Sequence, residues 1–209
     1  MDRRERLERA RLYVVTATRP DLGGFLDSIL GAGVDLVQLR DKHAEAGDLL
    51  RYADTFREAA TRHGALFVVN DRPDVALAAR ADGVHLGQND LPPAVARRVL
   101  GPDAIIGLSC HLPDDYASAP PEADYLTAGP VHETPTKPGR PGVGLELVRY
   151  AAAHADRPWF AIGGIGPTNV AEVAGAGATR IVVVRAVTEA NDPAAAVREL
   201  LAELSAARS

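Results

Sequence analysis

Residues 67–91 read FVVNDRPDVALAARADGVHLGQNDL. Two short apolar runs frame this stretch, at 66–69 and 83–86, and each gives way to a polar cluster holding an acid: Asn70-Asp71 after the first, Gln88-Asn89-Asp90 after the second. An alanine-rich piece at 75–80 lies between them. The order is strand, acidic tip, short helix, strand, acidic tip. If the two strands are parallel neighbours, Asp71 and Asp90 meet at the same end of one sheet. Two carboxylates with amide neighbours are oxygen ligands of the kind Mg²⁺ takes. An Asn-Asp pair at a strand end also serves as a turn or a helix cap, so the pair alone leaves both readings open.

Outward from this stretch the same alternation repeats. Residues 12–17 (LYVVTA) form a β-branched run and read as a first strand. Residues 21–30 place Leu22, Phe25, Leu26, Ile29 and Leu30 at helical spacing and stop at Gly31 and Gly33. Residues 34–39 read as a second strand that runs into Gln38-Leu39-Arg40-Asp41-Lys42. The clearest helix is 48–62, with Leu49, Leu50, Ala53, Phe56 and Ala60 on one face and Gly64 placed to close it with a left-handed cap. Beyond the opening stretch, a helix runs from Pro92-Pro93 to Leu100, a strand at 104–108 ends at Ser109, and a short helix covers 113–119. A strand at 123–128, a Pro/Gly-rich loop at 129–144 and a helix at 145–154 follow. A strand at 159–162 ends in Gly163-Gly164-Ile165-Gly166, and Pro167 suits the first turn of the next helix. A strand at 180–184 ends at Arg185, and the last helix runs from Asp192-Pro193 to about Ala206.

Alternating strands and helices predict a parallel sheet. Eight such units with no linker or composition break predict a single-domain α/β protein, a (β/α)8 TIM barrel over residues 1–209. The rival is an open doubly wound sheet, which gathers its ligand-type residues at a switch point. Here polar residues follow nearly every strand, as they do when all the tips ring one pocket. Hydrophobic content of 46% with only 5% aromatic residues gives a core of Val, Leu, Ile and Ala, which suits strands buried on both faces. Residues 1–10, where Arg3, Arg4, Arg6 and Arg9 alternate with Asp2, Glu5 and Glu8, read as a polar, solvated lead-in.

A net charge of −5 offers no footprint for nucleic acid. No apolar run approaches the ~20 residues that cross a bilayer, and the start of the chain lacks a signal-peptide core, so no membrane partner and a cytoplasmic location are expected. The single cysteine, Cys110, can form neither an internal disulfide nor a metal site by itself and reads as a small buried residue. Oligomeric state stays open, since no apolar helix face stands out as an interface.

Taken as a ring, the tips collect chemistry. Alternation sends Gln38, Arg40 and Lys42 to one side. Asn70, Asp71, Gln88, Asp90 and Ser109 follow around the ring. Thr134-Pro135-Thr136-Lys137 lies in the long loop, Gly163-Gly164 after the seventh strand and Val184-Arg185 after the eighth. Two anion sites are implied. Arg40, Lys42 and Lys137 around an Asp71/Asp90 metal suit a diphosphate. The glycine turn, the helix starting at Pro167 and the tip of the eighth strand suit a monophosphate, which barrels often bind at this point. Together they fit a transferase that joins two phosphorylated small molecules. Plainer readings exist for the parts. Arg40 and Lys42 also make a surface charge cluster with Asp41 and Glu45, and Gly163-Gly164 also makes a tight turn. His85, inside an apolar strand, reads as a satisfied core or rim histidine. His111 and His132 lie near tips without a visible partner, and Trp159 reads as packing.

The segments VQLRDK (37–42), NDRPDVAL (70–77), ADGVHLGQNDLP (81–92), IGLSCH (106–111), ADYLTAGPVHETPTKPG (123–139), AIGGI (161–165) and VVVRAVT with its following NDP (182–193) resemble the thiamine-phosphate synthase (pyrophosphorylase) family in order and spacing over essentially the whole chain. The resemblance implies a reaction. The family joins 4-amino-2-methyl-5-pyrimidinylmethyl diphosphate to a thiazole phosphate, with or without a carboxylate, giving thiamine phosphate, diphosphate and, from the carboxylated thiazole, CO₂. The step is dissociative: diphosphate leaves, and the thiazole nitrogen attacks the pyrimidinylmethyl cation. By the same resemblance Gln38, Arg40, Lys42, Asn70, Ser109 and Lys137 bind the pyrimidine diphosphate, together with Leu39 and Asp41 of the same segment. Arg40, Lys42, Ser109 and Lys137 form the catalytic group, and Asp71 and Asp90 hold Mg²⁺. Thr134, Pro135 and Thr136 reach the thiazole phosphate, and Gly164 with Val184-Arg185 closes its phosphate site. Two departures stand out: Arg185, where many members have Ser, and His132-Glu133, where an apolar-Pro pair is more usual. A thiazole tautomerase type of relative, or a non-catalytic thiamine-ligand sensor, is the alternative; neither needs the diphosphate–metal set.

Overall fold

The computed structural model describes residues 2–134 and 141–206. Strands β1 (Leu12–Thr16), β2 (Leu36–Leu39), β3 (Leu66–Asn70), β4 (Gly83–Leu86), β5 (Ile105–Cys110), β6 (Tyr125–Ala128), β7 (Trp159–Ile162) and β8 (Ile181–Val183) pair in sequence order. Every pair is parallel, and β8 returns to β1, so the expected (β/α)8 barrel closes. The helices are α1 (Arg3–Arg9), α2 (Leu22–Gly31), α3 (Ala46–His63), α4 (Pro73–Ala78), α5 (Pro93–Leu100), α6 (Pro113–Ala117), α7 (Gly144–His154), α8 (Val170–Gly175), α9 (Arg185–Thr188) and α10 (Pro193–Ala206). Gly64, at φ 69°, closes α3 in the left-handed conformation its position predicts.

Alternation along the strands makes two cores. One face of each strand meets the helices: Val37, Leu39, Phe67, Val69 and Leu126 are buried in that outer layer with Phe25, Phe56 and Leu200. The other face fills the barrel with Tyr13, Leu36, Leu66, Val68, Ile105, Tyr125 and Phe160. Cys110 belongs to the outer layer, where burial first, and the nearby Asp115 charge second, push its thiol up to about 12. It is the small buried residue expected of it. Among the described residues no helix is long and apolar enough to cross a membrane.

Three features differ from expectation. The lead-in folds as a helix against the barrel, although Asp2, Arg4, Glu5, Glu8 and Arg9 stay exposed. Asp2 caps α1 by accepting from Glu5 N at 2.8 Å, while the Glu5 carboxylate accepts from Asp2 N at 3.0 Å. Leu7 is 2% exposed and belongs to the inner core, so α1 closes the mouth of the barrel opposite the strand tips. Three of its arginines have acidic partners: Arg3 and Arg6 reach Asp82 at 2.8 and 3.3 Å, and Arg4 reaches Asp124 at 3.2 Å. The alternating charges serve these contacts, and Leu7 was the signal among them. Second, the helix after β7 begins at Val170 and not at Pro167. Asn169 Oδ1 accepts from Gly166 N and its Nδ2 donates to Gly164 O, both at 2.8 Å, and this polar turn occupies 166–169. Third, β8 stops at Val183 and Arg185 opens the short helix α9.

Candidate functional site

All the strand tips face one end of the barrel, and two cavities share it. The charged one, about 260 Å³, is lined by Arg40, Lys42, Asn70, Asp71, Gln88, Asp90 and their neighbours. β3 and β4 supply the acids. Asp71 adopts φ 60°, a conformation uncommon for a residue with a Cβ, and its N–H donates to His85 O at 2.8 Å, across the β3–β4 pair. Asp90 sits in a tight turn. Its Oδ2 accepts from Gly87 N at 2.7 Å. A Cβ at residue 87 would lie 2.9 Å from that oxygen, so a side chain there would displace the Asp90 carboxylate.

The carboxyl groups of Asp71 and Asp90 face each other closely enough to interact. Burial first, then the neighbouring Asp90 carboxyl, raises the Asp71 carboxyl above the usual carboxylate range; the Lys42 ammonium, 3.5 Å from Asp71 Oδ2, opposes this. Two facing carboxylates that resist joint ionisation are relieved by a divalent cation. Among the described residues no group of three or more His, Cys, Asp or Glu converges, so the protein offers two carboxylates and leaves the other positions to water or substrate. That donor set fits Mg²⁺, which keeps several waters and is bound through one or two carboxylates plus phosphates.

Gln38 lies deeper, fully buried, and lines a void of about 40 Å³ under the charged cavity with Arg40, Asn70 and His85. The shared side expected of Gln38, Arg40 and Lys42 is thus observed. Leu39 and Asp41, the alternate residues, go elsewhere. The Leu39 side chain is buried in the outer core. Asp41 accepts from Thr18 Oγ1 at 2.8 Å and from His43 N at 3.1 Å, beside a separate surface groove. Only their main chain is available to a ligand in the charged cavity.

The second cavity, about 300 Å³, is nearly free of charge: Thr127, Thr134, Ile162, Gly163, Gly164, Pro167 and Val182 to Ala186 line it. Gly163 and Gly164 adopt φ 110° and 62°. A Cβ on Gly163 would lie 2.5 Å from Pro130 Cα, and one on Gly164 would lie 2.7 Å from His132 Cβ. The turn therefore lets main chain approach the cavity closely. At the next tip, Val187 N and Thr188 N donate to Val184 O at 3.0 and 2.9 Å, which starts α9. The first N–H groups of any helix lack intrahelical partners. The Arg185 side chain is exposed and lies 3.9 Å from Glu189 Oε2. Ser109 and His111 line both cavities and form the seam. His111 Nδ1 lies 2.5 Å from Gly129 O; a carbonyl only accepts, so this nitrogen carries a proton.

A family model described as thiamine monophosphate synthase matches residues 12–187. The chain belongs to the thiamine monophosphate synthase family. It is 56% identical over 204 residues to thiamine-phosphate synthase of Acidothermus cellulolyticus, covering 95% of this chain and 96% of that one. Identity to thiamine-phosphate synthase of Thermobifida fusca is 55% over 210 residues, covering 98% and 96%. Among solved structures, thiamine phosphate pyrophosphorylase from Pyrococcus furiosus superposes with a TM-score of 0.85 at 34% identity over 99% of both chains.

For a member of the thiamine monophosphate synthase family, the geometry gathers most of the residues that the sequence singles out. Arg40, Lys42, Asn70, Asp71, Asp90 and Ser109 line the charged cavity; Thr134, Gly164, Val184 and Arg185 line the neutral one. Pro135, Thr136 and Lys137 lie outside the described residues. Tyr13 and Thr127 also line the cavities, and sequence reading passed over both. Their signal was alternation: Tyr13 and Thr127 take the inward positions of β1 and β6. His85 is the satisfied histidine expected, yet it too borders the charged cavity, and it bonds Ser109 Oγ at 3.0 Å.

Proposed function

We propose that this chain couples 4-amino-2-methyl-5-pyrimidinylmethyl diphosphate with a thiazole phosphate, carboxylated or not, to form thiamine phosphate and diphosphate, with CO₂ from the carboxylated form. The observation that carries this reading is the seam. A charged cavity with paired carboxylates and two cations adjoins a neutral, glycine-walled cavity through Ser109 and His111. A diphosphate suits the first and a phosphorylated heterocycle the second, so the carbon that loses diphosphate lies next to the nitrogen that attacks it.

Each group then has a role. Asp71 and Asp90 would hold Mg²⁺, which supplies positive charge to the departing diphosphate. Arg40 and Lys42, with Lys137, take phosphate oxygens and stabilise the leaving group as its charge develops. Gln38 and Asn70 orient the pyrimidine from below. Ser109 contacts the diphosphate at the seam. Ile162, Val182 and Val184 present an apolar wall that keeps water from a pyrimidinylmethyl cation. The glycine turn and the α9 start bind the thiazole phosphate through N–H groups, and Thr134 with Pro135-Thr136 reaches it from the loop. Little covalent help is needed, because positioning and charge stabilisation supply most of the acceleration. The test is direct: incubate purified protein with both substrates, in Mg²⁺ and in EDTA. Thiamine phosphate forms in Mg²⁺ and is suppressed in EDTA. Its absence under every condition overturns the reading.

A further inference from the structure

A buried hydrogen-bonded chain crosses the barrel beneath the site. Gln38 Nε2 on β2 meets the Tyr13 phenol oxygen on β1. The Tyr13 and Tyr125 phenol oxygens lie 3.3 Å apart. The Tyr125 oxygen, on β6, lies 3.1 Å from His85 Nδ1, and His85 Nε2 lies 3.0 Å from Ser109 Oγ. All five side chains are buried. Tyr13 and Tyr125 pack edge to face with each other and with Phe160, ring centroids 5.7–6.1 Å apart. Residue 107 on β5 is a glycine, and a Cβ there would lie 2.1 Å from Tyr125 Cζ. The sequence thus makes room for this ring at this place.

Packing does not explain the hydroxyls. Phenylalanine at 13 and 125 would fill the same space without placing two O–H groups in a dry interior, where a polar group without a partner costs free energy. Burial holds both phenols well above the usual range, so each keeps its proton and must place it. The protons can be followed from one end. Gln38 presents Nε2, so it donates to Tyr13. Either phenol could donate across the 3.3 Å contact, but Gln38 Nε2 offers Tyr13 no lone pair, so the Tyr13 proton goes to the Tyr125 oxygen. Tyr125 passes its proton to His85 Nδ1. A ring nitrogen that accepts carries no proton, so His85 holds its proton on Nε2 and donates it to Ser109. The Ser109 oxygen is satisfied from below, and its own O–H is left for the cavities. If the chain ran the other way, His85 would be protonated on Nδ1, and Ser109 would donate downward and face the cavities with lone pairs, which repel phosphate oxygens.

We propose that Tyr13, Tyr125 and His85 form a one-directional positioning relay that fixes His85 as the Nε2–H tautomer and aims the Ser109 hydroxyl as a donor at an anionic substrate group on the seam. None of the three needs to touch the reacting atoms. The tautomer stands on geometry alone, whereas the use of the aimed hydroxyl rests on the coupling reaction proposed above, and the experiment separates the two.

The full-length protein is labelled with ¹⁵N-histidine, and long-range ¹H–¹⁵N correlations are recorded without metal or substrate, with His85→Gln used to assign the signal. The relay predicts a protonated Nε2 and an unprotonated Nδ1. An Nδ1–H ring, a doubly protonated ring or an even mixture overturns it, whether or not the protein couples substrates. Tyr125→Phe then removes one oxygen from the middle of the chain. The expected result is loss of the single tautomer and a kcat about tenfold lower, with the KM for thiazole phosphate unchanged. A retained tautomer in this variant overturns the relay, and a lost tautomer with unchanged kcat overturns its action through Ser109.

Discussion

Arg40, Lys42, Asp71 and Asp90 furnish the charged cavity with side chains, whereas Gly163, Gly164 and the start of α9 furnish the neutral cavity mostly with main chain. The difference follows from what each side is proposed to bind. A departing diphosphate gains charge during reaction, so its cavity needs groups whose strength is realised then, namely cations and a metal. A phosphate that only anchors its heterocycle needs steady, directional donors, which N–H groups at a glycine turn and a helix start provide. The charged side carries the strain: two carboxyls in contact and a left-handed Asp71.

The largest effect expected is at that strain. Asp71→Asn should lower kcat by about 10²–10³-fold by removing a metal ligand. The same change should raise the melting temperature of the metal-free protein. The Asp71 carboxyl is raised in the fold, so the metal-free fold loses stability as pH climbs through that raised value. Asn carries no such loss and tolerates positive φ better. Thermal melts in EDTA at neutral pH read this, and a lower melting temperature would count against the description of the carboxylate pair.

The glycine turn comes next. Gly164→Ala places a Cβ against His132 at a φ of 62°. Strain of about 1–3 kcal/mol is expected. The KM for thiazole phosphate should rise roughly tenfold, about 1.4 kcal/mol of lost binding, while the KM for the pyrimidine diphosphate holds. Equal rises for both substrates would mean that the two cavities do not act separately. The smallest effect is expected at Arg185, whose exposed side chain lies near Glu189 and not on the cavity's main-chain donors. Arg185→Ser should change the KM for thiazole phosphate less than about threefold, in keeping with an exposed ion pair. A tenfold change would make the neutral half depend on a side chain after all.

The same contrast explains what could be read from residues alone. Eight alternating units gave the barrel because strand and helix periods are local properties. Asp71, Asp90, Arg40 and Lys42 could be placed because a charged side chain at a strand tip is visible in the sequence and alternation says which way it points. The main-chain donors of the second half leave little trace beyond Gly163-Gly164. Hence α9 carries no signal in the sequence, and Pro167 suggests a helix start where Asn169 holds 166–169 in a turn. Leu39 and Asp41 share the segment of the site residues, but their alternate positions point their side chains away. The N-terminal helix escaped because its charge pattern resembles a solvated face, and Asp82 and Asp124, the partners that give it meaning, are far away in sequence. The Tyr13–Tyr125–His85 chain draws on three strands, so no short motif could reveal it.

Calorimetry with the pyrimidine diphosphate and, separately, the thiazole phosphate, each with and without Mg²⁺, tests the division of labour most directly. Mg²⁺ is expected to tighten the diphosphate by at least tenfold in the wild type, not in Asp71→Asn, and to leave the thiazole phosphate unchanged in both. Diphosphate binding that ignores Mg²⁺, or Mg²⁺ linkage that survives Asp71→Asn, would contradict it.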